Sequence, residues 1–331
     1  MVSGTNGDFG SPTQRSLLRW MGKNPGFMLY AGLASAILVI FLLIPTFRTS
    51  TNLNNLVLRS VPLLAVAVGQ TFVLISAGID LSVGAIVSLA TCVASVTMSR
   101  SIGLGVLLTL ASGVAVGLVN GFGVTRLNIN PFIMTLGTMI ITNGVALFIR
   151  PYPGGEIPLG FVNAVLLRVA GFPLVPFLLL CLVTFIGILI LRKSRFGRHL
   201  YALGGNIEAV RLAGINSVSI TVRTYALSGL FAALAGLYLT SRIASGDPSV
   251  GAPFQIDSIT ASVIGGTTLS GGKGDVAGTL LGTIVLTLLG NVFNLLDIDI
   301  YWQQVLRGLI LFTVVSVSQI GFIRASRYLE Q

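Results

Sequence analysis

Two acidic residues stand at the edges of apolar segments, where an ionisable side chain could do chemistry. Asp80 lies in the stretch SAGIDLSVG and Asp275 in the stretch SGGKGDVAG. A carboxylate at the boundary of a membrane span could carry a proton or another ion during transport. It could instead cap the helix that follows by accepting hydrogen bonds from amides at the helix N-terminus, and we expect capping at both positions. The candidate capping or gating residues are Gly78, Asp80, Ser82, Gly84, Gly272 and Asp275.

A third polar stretch, Ser194 to Arg223, lies between two long apolar segments. After a pair of glycines, Asn206 can cap a new helix, and Glu208 falls in its first turn, where the positive helix end favours a carboxylate. Gly214 is a typical helix stop. The spacing therefore predicts a short capped amphipathic helix between two membrane spans. From spacing alone, an ordinary cytoplasmic loop that happens to be helical is an equally good interpretation.

The sequence offers little material for a nucleotide, metal or catalytic site. The stretch TTLSGGKGD resembles a phosphate-binding loop, but Thr267 replaces its first glycine and Gly274 replaces its final Ser or Thr. The single histidine, His199, lies in the polar stretch, which leaves almost nothing from which to build a zinc site or a Ser-His-Asp triad. We therefore expect no catalytic residue, no metal site and no cofactor in this chain. No substrate-binding residue can be named from the sequence.

The amino-acid composition indicates the class of protein to which these residues belong. Hydrophobic residues make up 53% of the chain and charged residues only 9%, whereas about a quarter of a soluble domain is charged. The sequence therefore predicts an all-α polytopic bundle of transmembrane helices. The net charge of +10 is spread over loops and termini, which argues against nucleic-acid binding and is typical of positively charged cytoplasmic loops.

The Lys and Arg distribution predicts ten spans, with both termini in the cytoplasm. Residues 1–26 are predicted to be a polar cytoplasmic segment, 27–320 the transmembrane domain with a cytoplasmic loop at 193–223, and 321–331 a cytoplasmic tail. One segment, Ile256–Ser270, is too short for a full crossing and could be re-entrant. The predicted spans are Phe27–Ile44, Leu58–Ala77, Leu81–Met98, Gly103–Val124, Pro131–Phe148, Pro173–Leu191, Thr224–Ile243, Ile256–Ser270, Val276–Leu295 and Trp302–Val317.

Small residues repeat at every fourth position in three of these spans. The rows are Gly113, Gly117 and Gly121, then Ala232 and Gly236, then Gly278 and Gly282. Rows of this kind let helix backbones approach closely. We expect them to serve helix packing.

Three stretches resemble ribose-type sugar permeases of bacterial ABC importers. They are GQTFVLISAGIDLSVGAIVSLA (Gly69–Ala90), FGRHLYALGGNIEAVRLAGIN (Phe196–Asn216) and SVIGGTTLSGGKGDVAGTLLG (Ser262–Gly282). Their order and spacing agree with that family as well, and the similarity covers about residues 50 to 320.

The resemblance implies a permease subunit of about ten helices in the bacterial inner membrane. It would pair with a second permease copy, identical or not, while two ATPase subunits bind ATP and Mg and a periplasmic sugar-binding protein delivers the sugar. In that family the polar loop holds the coupling helix, which sits in a cleft of the ATPase. The residues that the resemblance assigns to coupling are Gly204, Gly205, Asn206, Glu208, Ala209, Arg211 and Gly214.

The expected function is therefore import of a monosaccharide, a pentose or hexose, by alternating access. The sugar is not changed chemically, so the chain is not expected to be an enzyme. A permease for a nucleoside or a branched-chain amino acid is the nearer alternative. An ion-coupled secondary transporter using Asp80 or Asp275, or a channel, is the alternative of another class, and neither requires a capped cytoplasmic helix.

Overall fold

The computed structural model describes residues 41–327 and divides the chain into two units, Met1–Thr49 and Ser50–Gln331. In the first unit, the described residues include a 3₁₀ turn at Pro45–Arg48. The predicted polar segment 1–26, and most of the predicted span Phe27–Ile44, lie outside the described residues.

Between Ser50 and Arg327 the chain forms a bundle of helices joined by short connections. A π-helical turn at Leu189–Lys193 continues the sixth helix. The all-α fold class is therefore confirmed for the described residues. The helices are α1 (Ser50–Ile75), α2 (Val83–Thr97), α3 (Ile102–Arg126), α4 (Pro131–Ile149), α5 (Leu159–Val165), α6 (Leu174–Ile188), α7 (Arg195–Gly205), α8 (Ile207–Leu212), α9 (Ser217–Ile243), α10 (Ala252–Ile264), α11 (Val276–Leu295) and α12 (Ile300–Arg327).

Six of the described helices are long and apolar enough to cross a membrane, namely α1, α3, α4, α6 with its π-helical turn, α9 and α11. Two predicted spans are shorter than expected, because α2 has 15 residues and α10 has 13. At 1.5 Å per residue these helices are about 22 and 20 Å long, against a hydrocarbon core of about 30 Å. Each is therefore too short to cross a full bilayer as a straight helix.

The polar stretch contains more helix than the sequence predicted. Instead of one short helix in a loop, it holds α7, α8 and the first turns of α9. Helix α9 begins at Ser217, seven residues before the predicted start at Thr224, because Asn216 caps it by accepting the amide of Ser219 at 2.9 Å. The polar stretch thus consists of consecutive helices that are separated by two short breaks.

The glycine row of α3 packs against α9 in an antiparallel arrangement. A Cβ atom on Gly117 would lie 2.2 Å from the carbonyl oxygen of Tyr225, and one on Gly121 would lie 2.6 Å from the Cα atom of Val222. In the same way, a Cβ atom on Gly282 of α11 would lie 2.0 Å from a carbonyl oxygen of α10. These approaches confirm that the small residues serve close packing between helix backbones.

Helix α9 runs from one end of the bundle to the other. It begins directly after α8 and ends at Ile243, close to Gly246, whose backbone exchanges hydrogen bonds of 2.8 and 2.9 Å with that of Gly154. We call the end that carries α7 and α8 the loop end, and the end that carries Gly154 and Gly246 the far end.

Candidate functional site

Helix α8 is the short capped helix that the sequence predicts. The Asn206 side chain is its N-cap and accepts the amide hydrogen of Ala209 at 3.0 Å. Glu208 in the first turn pairs with Arg211 at 3.0 Å, and Gly214 follows the helix with a φ of +71° that favours glycine. The predicted cap, first-turn acid and stop are all confirmed.

The outward face of α8 is open. Glu208, Ala209 and Arg211 are exposed, while Val210 packs inward. Leu212, which the sequence analysis did not single out, is 89% exposed. A Cβ atom on Gly205 would meet nothing within 4 Å. A compact helix with an exposed apolar side chain and open small residues is a suitable surface for a partner protein.

Helix α7 supports α8 and was missed by the sequence analysis. Ser194 caps it by accepting the amide of Gly197 at 2.9 Å. Leu200 and Leu203 are buried, and Phe196 packs against the same apolar cluster. Apolar residues at positions i, i+4 and i+7 are a helical signal that could have revealed this helix.

Helix α7 lies directly against the C-terminal end of α1. A Cβ atom on Gly204 would lie 1.7 Å from the carbonyl oxygen of Ile75 and 2.6 Å from the amide nitrogen of Gly272. That Gly272 amide donates a 2.9 Å hydrogen bond to the same Ile75 oxygen, and Gly272 has a φ of +72°. Three backbone segments therefore meet where only glycines fit.

Two side-chain contacts join the same region to α11. The Tyr201 hydroxyl of α7 donates to the carbonyl oxygen of Gly274 at 2.7 Å. Burial raises the pKa of Tyr201 above its usual range, so the hydroxyl stays a donor near neutral pH. Arg192 donates to both carboxylate oxygens of Asp275, at 3.2 and 2.5 Å. The expectation that the Asp275 carboxylate caps α11 is wrong, because the residue stands at the N-cap position but its carboxylate pairs with Arg192 instead.

These contacts bring all three sequence motifs together at the loop end. The first contributes Ile75, the second contributes α7 and α8, and the third contributes the turn from Gly271 to Asp275. Helix α8 is therefore linked through α7 to the end of α1 and to the turn before α11 by direct contacts.

The sequence predicts Asp80 at the edge of a membrane span, but in the structure the residue lies inside the bundle. Its side chain is fully buried. One carboxylate oxygen accepts the amide and the hydroxyl of Ser82 at 2.9 and 2.6 Å, and the other accepts the hydroxyl of Ser228 at 2.9 Å. Ser228 lies eleven residues into α9 from Ser217, about 16 Å along the helix axis. The chain after α1 therefore folds back into the bundle, which explains why α2 is short.

The prediction that the Asp80 carboxylate caps α2 is wrong. Ser82 occupies the N-cap position without a side-chain cap bond, and Asp80 binds Ser82 itself. The network continues to α3 and α4, because Asn120 donates to the Ser82 hydroxyl at 2.8 Å and accepts from Thr138 at 2.6 Å. With its amide nitrogen turned toward the Asp80 carbonyl, Gln70 pairs with the Asp80 backbone at 3.1 and 3.3 Å. Asp80 thus ties together α1, α2, α3 and α9.

The glycines on either side of Asp80 are sites of close approach. A Cβ atom on Gly78 would lie 2.6 Å from the Tyr225 hydroxyl, and one on Gly84 would lie 2.7 Å from the carbonyl oxygen of Gly251. Both positions therefore need glycine for packing, which is a structural role.

A cavity of about 510 Å³ lies beside the junction of α7 and α8. Its walls include residues 76–78, residues 203–207, Thr221 and Tyr225. The buried Tyr225 hydroxyl has no hydrogen-bond partner among the described residues.

The arrangement defines a helical membrane protein in which the exposed helix α8 is joined to α7, and α7 contacts the end of α1 and the turn before α11. The chain belongs to the family of branched-chain amino acid transport system permease components, whose family model matches residues 52–315. No solved structure shows a significant match.

The chain is similar to named sugar permeases over most of its length. It is 37% identical over 295 residues to the ribose import permease protein of Haemophilus influenzae, covering 86% of this chain and 90% of the relative. It is 36% identical over 290 residues to the ribose import permease protein of Escherichia coli K12, covering 85% and 89%. It is 32% identical over 332 residues to the galactose/methyl galactoside import permease protein of Salmonella typhimurium, covering 94% and 98%.

Proposed function

We propose that this chain is the permease subunit of an ATP-driven, binding-protein-dependent importer of a monosaccharide in the bacterial inner membrane. The relatives named for ribose and galactose support a pentose or hexose as the substrate. The chain provides the path and leaves the sugar chemically unchanged.

One observation carries the mechanism, namely that α7, which leads directly into α8, contacts the end of α1 and the turn before α11. ATP binding by a partner ATPase pair would move α8, and α7 would pass that movement to Ile75 and to the turn before Asp275. The two permease subunits would then expose the path to one side of the membrane and afterwards to the other, which is alternating access. The cavity beside the junction of α7 and α8 would give room for this movement.

In this proposal the energy for transport comes from the partner ATPase. The stretch that resembles a phosphate-binding loop is packed into the protein, with Thr267 almost fully buried and Gly272 bonded to Ile75. ATP and Mg would therefore bind to the ATPase subunits, and the exposed residues Glu208, Ala209, Arg211 and Leu212 would contact them. Gly205 and Gly214 leave open space for the approach.

The topology of this proposal has ten spans, which count the short helices α2 and α10 together with the non-helical residues next to them, and both termini lie in the cytoplasm. The loop end, with residues 193–223, faces the cytoplasm, and the far end receives the periplasmic sugar-binding protein. Residues 1–26 and 321–331 are cytoplasmic segments. A second permease copy, identical or not, completes the path.

The experiment that tests the proposal replaces Ala209 with arginine. The side chain of Ala209 is exposed on α8, so an arginine at this position should leave the membrane helices intact. Ala209→Arg is expected to reach the membrane in folded form, to lose the ATPase on purification and to lose sugar uptake. Glu156→Arg, which adds the same side chain at an exposed far-end position, should keep the ATPase bound. An Ala209→Arg transporter that keeps both its ATPase and full uptake would remove the mechanistic support for the proposal.

Reconstitution separates the alternatives. Liposomes that contain the permease, its ATPase and a sugar-binding protein should accumulate ribose or galactose only with ATP. Transport by the permease alone would favour an ion-coupled secondary transporter or a channel. ATP-dependent uptake of a nucleoside or a branched-chain amino acid, with no sugar uptake, would keep the class and change the substrate.

A further inference from the structure

A second cavity, of about 410 Å³, lies at the loop end of the bundle between α3 and α9. Its volume falls within the roughly 300–1,000 Å³ of ordinary small-molecule sites. The described residues of its wall include two arginines and no acidic residue, which makes the cavity positively charged. The wall consists of Phe122, Arg126, Asn216, Val218, Ser219, Val222 and Arg223.

The antiparallel packing of α3 on α9 brings the two arginines to one cavity. Gly121 lies level with Val222, because a Cβ atom on Gly121 would lie 2.6 Å from the Cα atom of Val222. From that level Arg126 lies five residues toward the loop end and Arg223 one residue away from it, so about 9 Å separates them along the helix axes. Helical side chains tilt toward the helix N-terminus, so these two lean toward each other. Basic residues at the cytoplasmic ends of spans are common, but this pair is placed to bind one anionic group together.

Neither arginine of the cavity has a partner within the described part of the chain. Arg126 and Arg223 are both exposed, and neither guanidinium group donates a hydrogen bond or forms an ion pair there. By contrast, Arg192 at the same end of the bundle pairs with Asp275. Two cations that share a cavity without an acid repel each other, and a bound anion would remove that repulsion.

The apolar part of the wall continues a surface of α3 that is open to the bilayer. Leu118, Phe122 and Arg126 follow one another at every fourth position, so they form one row on the helix. Leu118 and Phe122 are exposed, and most of the apolar length of α3 is likewise not buried in the bundle. Val218 and Val222 add apolar surface from α9. Toward the loop end the row therefore changes from apolar to cationic, which matches the order of acyl chain and headgroup in an anionic phospholipid.

We propose that this cavity binds the headgroup of an anionic phospholipid, with the acyl chains lying along Leu118 and Phe122. Arg126 and Arg223 bind the phosphate oxygens through charge-assisted hydrogen bonds. The bound lipid thereby joins the end of α3 to the beginning of α9, the helix that follows α8. The site requires only that the loop end lies at a membrane surface, whichever substrate the transporter carries. In the proposed orientation the lipid comes from the cytoplasmic leaflet, where anionic headgroups attract basic residues.

The test measures lipid binding to the purified permease–ATPase complex in detergent. Dioleoyl phosphatidylglycerol or dioleoyl phosphatidylcholine is added, and native mass spectrometry reports the affinity of the first lipid bound per permease. Phosphatidylglycerol should bind about tenfold more tightly than phosphatidylcholine, and Arg126→Gln/Arg223→Gln should abolish that preference, because two exposed ion pairs are lost. Each single glutamine variant should weaken binding about threefold, which keeps the test available if the double variant fails to fold.

Matched controls separate this site from general attraction between a basic surface and anionic lipid. Arg195→Gln/Arg198→Gln removes the same charge from two exposed residues of α7 that lie outside the cavity wall, so the first phosphatidylglycerol should bind as it does to the wild type. Arg126→Lys/Arg223→Lys should keep most of the binding, because lysine still binds phosphate as a point charge. Inorganic phosphate should compete only weakly, since it has no acyl chain.

Four outcomes would overturn the lipid site. Two are equal binding of both lipids by the wild type, and equal loss of phosphatidylglycerol from the two double glutamine variants. Displacement of the lipid by an equal concentration of inorganic phosphate would show a simple anion site. Loss of the ATPase from Arg126→Gln/Arg223→Gln with unchanged lipid binding would make the cavity a contact for that partner. These measurements need no sugar, so their outcome is independent of the proposed import function.

Discussion

Gly204 and Ile75 lie in backbone contact, so that a methyl group on Gly204 would come within 1.7 Å of the Ile75 carbonyl oxygen. The two residues belong to α7 and to the C-terminal end of α1. Neither partner is a flexible side chain, so the contact has no way to yield without moving a helix. This contact connects α7, which leads into α8, directly to α1.

We expect Gly204→Ala to separate α7 from α1 and to reduce sugar uptake strongly, with a loss of about 1–3 kcal/mol in the free energy of unfolding from overpacking. Gly144→Ala on α4 is the control, because its Cβ atom would meet nothing within 4 Å. ATP-dependent uptake in vesicles and thermal unfolding measure the two effects. Equal uptake by both variants would show that the Gly204 contact does not transmit movement.

We expect Asp80→Asn to keep a folded and active protein, because the amide oxygen can still accept from Ser82 and the Ser228 hydroxyl can turn to accept from the amide nitrogen. Asp80→Leu should leave the Ser82 and Ser228 groups buried and unpaired, at about 1–3 kcal/mol for each. Denaturation and uptake are measured on the purified variants. A well-folded Asn variant with no uptake would instead favour an ion-coupling role for the carboxylate.

We expect Gly117→Ala to destabilise the packing of α3 on α9. The new methyl group would lie 2.2 Å from the Tyr225 carbonyl oxygen, and overpacking of this kind costs about 1–3 kcal/mol. Gly137→Ala on α4 is the control, since its Cβ atom would meet nothing within 4 Å. The midpoint of thermal unfolding should fall for Gly117→Ala and stay constant or rise for Gly137→Ala. The opposite order would contradict the described packing.

We expect the far end to face the periplasm. In a background without Cys92 and Cys181, single cysteines at Pro153 and Ser249, both exposed, should react with an impermeant maleimide added to intact cells. A cysteine at Ser217 should react only after the membrane is opened. Reversed labelling would overturn the orientation.

Much of the structure could be predicted from local features of the sequence. A chain with 9% charged residues has too few charges to cover a soluble surface, so composition alone predicted a helical membrane protein. Helix α8 was predictable because its Asn206 cap and its Glu208–Arg211 pair join residues three positions apart. Such contacts depend on the helix itself and on nothing distant in the chain.

The partners of the two acids depended on the tertiary structure. Asp80 binds Ser228, 148 positions away, and Asp275 binds Arg192, 83 positions away. A carboxylate before a helix can cap it or bind any donor that packing brings nearby, and the local sequence is the same in both cases. Only the packing of the helices brings Ser228 close to Asp80 and Arg192 close to Asp275. The same packing buries Asp80 and places α7 against Ile75, because these residues are far apart in the sequence.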